Sequence, residues 1–141
     1  MQRKTHLSLY IEATKLGGGF TVDGRLRPIE TSGETYAYSV YGFETRIATS
    51  VVDLATFRSV LKRYATLVSK AGFPWFIGVW NDGAELVFDV SIVTTDSLRD
   101  VIRSARANKQ KAIWDFRNAR EIRVGRFDDT GAYCIPASAY P

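Results

Sequence analysis

Asn81-Asp82-Gly83 divides two runs, Phe73 to Trp80 and Ala84 to Val93, that carry the β-branched and aromatic residues typical of strands. This tripeptide accepts the positive backbone angles of a tight turn. So short a connection joins only antiparallel neighbours, so the chain is committed to an antiparallel pair here. Leu86, Phe88, Val90 and Ile92 point to one side of the return strand, and Glu85, Val87, Asp89 and Ser91 to the other. The approach strand is apolar almost throughout, which predicts burial.

Two amphipathic segments flank this pair. Asp53 is placed to cap a helix in which Leu54, Phe57, Leu61, Tyr64 and Val68 recur at helical spacing, with Arg58, Lys62 and Arg63 off that line. Gly72 and Pro74 then end the helix. On the other side, Asp96 to Lys109 predicts a second helix with a buried stripe of Leu98, Val101, Ile102 and Ala105. KAIWDF-RNA-REIRV follows, a hairpin from Ile113 to about Val124. Earlier, Tyr36, Tyr38 and Val40 alternate with smaller residues, and Phe43, Thr45 and Ile47 do so beyond Gly42, predicting two strands and a tight turn. Leu7, Leu9 and Ile11 predict a short strand within a partly irregular N-terminal segment over residues 1–34. The tail, residues 125–141, carries Asp128-Asp129, two glycines and two prolines and is expected to be irregular. Together these readings predict a single α+β domain: a mostly antiparallel sheet built from strand pairs, with two amphipathic helices packed on one face.

The 141 residues suit one domain, and the net charge of +4 with a pI near 9.3 favours encounter with acidic partners. Cys134 is the only cysteine, which excludes an intrachain disulfide and suits a reducing compartment. The apolar run Leu7 to Ile11 is too short for a signal sequence, and no stretch approaches the roughly 20 apolar residues that span a bilayer. A cytoplasmic protein with no membrane partner is expected.

Candidate catalytic groups are sparse. His6 is the only histidine, no nucleophile-elbow pattern accompanies it, and Cys134 has no basic neighbour to lower its thiol pKa. Gly17-Gly18-Gly19 lacks the lysine and hydroxyl of a phosphate loop and reads as a turn. Asp89 and Asp115 sit among apolar residues and would form a paired site only if their strands were adjacent; solvation, or bonding to a backbone amide, is the simpler reading. No enzyme, metal or cofactor is expected.

The second helix offers the most suggestive surface. Arg99, Arg103, Arg106 and Gln110 share a narrow angular window at 3.6 residues per turn, and Lys109 and Lys111 extend the charge past the helix end. Such a line could track phosphates or meet an acidic protein surface; a solvated face with intrahelical pairing to Asp96 is the plain alternative. Tyr41 and Trp80 are the aromatic residues expected to be exposed as apolar anchors.

LGGGF at 16–20, the strand Leu86 to Ser91 and the run Asn108 to Asp115 resemble small uncharacterised accessory proteins of actinobacterial phages and mobile elements. That resemblance implies a setting in which small non-enzymatic proteins block host defences, in the manner of anti-CRISPR proteins or of sponges for signalling nucleotides. It implies no catalytic residues. The resulting expectation is a binding protein that docks Arg99, Arg103, Arg106, Lys109, Lys111, Trp80 and Tyr41 on a larger host protein or ribonucleoprotein complex. Direct binding of DNA or RNA, and capture of a phosphate-bearing nucleotide, are the alternatives.

Overall fold

The computed structural model describes residues 2–31 and 33–135. The fold is α+β, with helices α1 (His6–Thr14), α2 (Leu54–Ala71) and α3 (Leu98–Ala107). The strands are β1 (Gly19–Val22), β2 (Tyr36–Ala48), β3 (Trp75–Asn81), β4 (Glu85–Thr94), β5 (Ala112–Asp115), β6 (Arg120–Arg123), β7 (Arg126–Phe127) and β8 (Tyr133–Cys134). Six strands form an antiparallel sheet in the order β1-β3-β4-β2-β5-β6, and β7 pairs with β8 in a separate ribbon.

The β3–β4 turn forms as the sequence dictates. Gly83 has φ +98°, the Asn81 side chain accepts from the Gly83 amide at 2.8 Å, and Asp82 Oδ1 accepts from the Ala84 and Glu85 amides at 2.9 and 2.7 Å. α2 also follows its signals. Asp53 accepts from the Thr56 amide at 2.8 Å, and Gly72, at φ +74°, donates its N–H to the Val68 carbonyl. α3 is shorter than the predicted Asp96 to Lys109: Ser97 caps its start, accepting from the Asp100 amide at 3.3 Å, and Lys109, at φ +54°, lies past its end.

Three expectations are corrected. Leu7–Ile11 is not a strand but belongs to α1, so three helices are present instead of two. The deciding signal is a capping box: Thr5 Oγ1 accepts from the Ser8 amide at 3.0 Å and Ser8 Oγ from the Thr5 amide at 3.2 Å. Leu9 and Ala13, four apart, then turn inward. Residues 36–48 are one strand, not two. The apolar phase moves from even to odd positions at Gly42, and Gly42 has φ +95°. One extra residue with positive φ shifts the phase without ending a strand, as in a β-bulge. Finally, the segment after Gly125 forms the β7–β8 ribbon instead of running irregularly. Asp128 Oδ1 holds its turn by accepting from the Thr130 and Ala132 amides, each at 2.9 Å. The remainder of the predicted tail, 136–141, lies outside the described residues.

The chain divides into two compact units, residues 1–30 with 42–91, and residues 31–41 with 92–141. The first centres on Phe57 of α2, fully buried, whose ring meets Tyr10 of α1 at 5.4 Å, Phe88 of β4 at 5.5 Å and Phe20 of β1 at 6.3 Å. In the second, Val101, Ile102 and Ala105 of α3 pack with Tyr36 of β2, Ile113 of β5, Ile122 of β6 and Val124. The β5–β6 register sets Ile113 opposite Ile122, so both reach this core together.

Candidate binding surface

α3 turns its apolar side into the second unit, and this divides the arginine stripe. Successive residues advance about 100° around a helix. Arg103 therefore lies nearly opposite the mean direction of Leu98, Val101, Ile102 and Ala105, and it is exposed, its guanidinium 4.0 Å from the Asp100 carboxylate. Arg99 is exposed on the same side. Arg106 stands on the flank of the packed face, and its Nε donates to the Val124 carbonyl at 3.0 Å. This bond ties α3 to the end of β6 and uses one of the guanidinium donors inside the unit.

Lys109 leaves the helix at φ +54° and sets Nζ 5.5 Å from the centroid of the Tyr41 ring, within cation–π range. Tyr41 is 61% exposed, so the pair lies open at the end of the stripe. Lys111 is also exposed, while its carbonyl accepts from the Val124 and Gly125 amides at 2.8 and 3.2 Å. The Tyr133 hydroxyl donates to the Gln110 carbonyl, and burial raises that phenol's pKa. The loop carrying Lys109 and Lys111 is thus held from two sides by backbone bonds. Arg99, Arg103, Lys109, Lys111 and Tyr41 all belong to the second unit, in which Lys109 and Tyr41 are in contact. Trp80 is exposed as expected but stands on β3 in the first unit, opposite Gly19 of β1.

Trp114 was not among the aromatic residues expected to be exposed, although its signal was present. Ile113 and Asp115 turn inward on β5, so Trp114 must turn outward, and it is exposed opposite Glu121 of β6.

The two strand aspartates each have local partners. Asp89, in the first unit, is buried and accepts from Ser91 Oγ at 2.8 Å. Asp115, in the second, is buried rather than solvated and holds the β5–β6 turn. It accepts from Asn118 Nδ2 at 2.8 Å, Arg120 Nε at 3.1 Å and the Asn118 amide at 3.3 Å. The Asn118 side chain and then Arg120 favour its carboxylate and, against the opposing effect of burial, hold the pKa below the usual 3.8. His6 begins α1, and its pKa is lowered by partial burial and then by the charges of Arg58, Lys62 and Arg3.

The triple glycine is used for close packing. A Cβ at Gly18 would land on the Glu12 carbonyl oxygen, and one at Gly19 would come within 2.6 Å of the Val79 carbonyl. Among the described residues, no group of three or more His, Cys, Asp or Glu could hold a metal ion, and no helix is long and apolar enough to cross a membrane.

Comparison with protein-family models, with curated proteins and with solved structures gave no match.

Proposed function

We propose that this chain is a non-enzymatic binding protein that docks the exposed face of α3, with Lys109, Tyr41 and Lys111 at its end, on an acidic surface of a larger protein or ribonucleoprotein. The observation that carries this reading is the spacing of uncommitted charge. Arg99 and Arg103 lie one turn apart and exposed, and among the described residues the one carboxylate paired with Arg103, that of Asp100, is 4.0 Å away. A pair that long and that exposed neutralises little. The resemblance to phage and mobile-element accessory proteins supports a host defence complex as the partner, bound in the manner of an anti-CRISPR inhibitor. Arginine and tyrosine are also the residues most enriched among interface anchors.

The Lys109–Tyr41 pair favours a second reading, direct binding of single-stranded DNA or RNA, because an exposed ring beside a cation can stack on a base while the cation meets a phosphate. Affinity purification from cells carrying the defence system, with wild-type protein and an Arg99→Glu/Arg103→Glu variant, separates the two. Recovery of a defence complex by the wild type, lost in the variant, supports the first reading; undiminished recovery refutes the proposed face. Binding of isolated oligonucleotides that falls steeply with salt supports the second.

A further inference from the structure

The first unit carries another charged patch, distinct from α3. Tyr10 of α1 packs edge-on against Phe57 of α2 at 5.4 Å, and its hydroxyl reaches the Val52 carbonyl at 3.5 Å. His6 lies one turn before Tyr10. On α2, Arg58 adjoins Phe57, and Lys62 lies one turn beyond it. This packing brings Arg3, His6, Arg58 and Lys62 into one neighbourhood, where the three basic side chains act on the imidazole. Arg3, Arg58 and Lys62 are exposed, and among the described residues none of them is ion-paired.

Exposed aliphatic residues accompany these charges in the first unit. The inward positions of α1 are Leu9 and Ala13, which leaves Leu7 and Ile11 outward, 54% and 50% exposed. Val51, next to the carbonyl that Tyr10 reaches, is 70% exposed. All three are aliphatic. Aliphatic side chains offer nucleobases no stacking surface, whereas they complement the apolar stripe of an amphipathic helix.

We infer that the α1–α2 face of the first unit is a docking surface for an acidic amphipathic helix of a partner protein, with Leu7, Ile11 and Val51 against its apolar stripe and Arg3, His6, Arg58 and Lys62 against its carboxylates. His6, the only histidine, is a built-in reporter. The experiment follows its ring protons and the Leu7 and Ile11 methyls by NMR in the full chain. The probe is a synthetic peptide about four helical turns long, with leucines at helical spacing flanked by glutamates.

Saturable shifts at His6, Leu7 and Ile11 are expected, with a rise in the His6 pKa on binding. Arg58→Glu/Lys62→Glu should weaken binding roughly tenfold, and Leu7→Ser/Ile11→Ser should weaken it without altering the charge. Arg103→Glu should leave it unchanged, which separates this face from that of α3. The inference is overturned if millimolar peptide moves none of these resonances, or if a glutamine-for-glutamate peptide binds equally well. It is also overturned if anionic vesicles or a single-stranded oligonucleotide shift them while the peptide does not.

Discussion

Replacing Phe57 with alanine measures how far the first unit depends on one ring. That ring is wholly buried and touches aromatic partners on three elements: Tyr10 on α1, Phe20 on β1 and Phe88 on β4. Each partner is fixed by its own element, so the space left by alanine cannot close by a single side-chain movement. Phe→Ala in a packed core costs about 3–5 kcal/mol, with the larger values where collapse is poor. Phe57→Leu keeps much of the volume and loses chiefly the ring–ring geometry, for about 1–2 kcal/mol. Urea unfolding followed by far-ultraviolet circular dichroism reads the difference. With a slope of about 2 kcal/mol per molar, a loss of about 4 kcal/mol lowers the midpoint by about 2 M. Leu7→Ala, at an exposed site on α1, should change stability by no more than about 0.5 kcal/mol. A Phe57→Ala loss below about 1 kcal/mol, or one equal to that of Phe57→Leu, would refute the reasoning, because the ring would then not be what joins α1 to α2.

Two further outcomes are expected. Asp115 has a depressed pKa, so its stabilising effect is fully present above the ordinary carboxylate value of 3.8 and is lost as pH falls through the lower folded-state value. Urea midpoints at about pH 5 and about pH 3 should therefore converge between wild type and Asp115→Asn; a constant gap would show that the carboxylate's ionisation does not matter. The two arginines of α3 should also separate. Arg106→Ala, which removes the bond to the Val124 carbonyl, should destabilise the protein by about 1 kcal/mol, while Arg103→Ala should change thermal stability negligibly and affect only partner binding.

Elements whose signals are local were legible in the chain. α2 has its cap, its stripe and its terminator within one stretch, and the β3–β4 turn is made by the side chains of Asn81 and Asp82 themselves. The stripe on α3 was legible too, since helical spacing alone groups Arg99, Arg103 and Arg106. α1 was misread because three alternating apolar residues fit a short strand as well as one turn of helix, and the Thr5–Ser8 box lacks the usual acidic or amide partner. β2 was split because a glycine that interrupts an alternating pattern marks either a turn or a bulge; neighbouring strands decide which.

The sequence by itself determined the two longer helices, the antiparallel hairpins and the presence of a basic line on α3, because each depends on residues a few positions apart. Only the tertiary structure decided which arginine faces outward, that Asp115 serves a turn, and that His6 stands among Arg3, Arg58 and Lys62. Those facts depend on contacts between residues far apart in the chain, where the bonding or packing of a side chain is set by what the fold brings beside it.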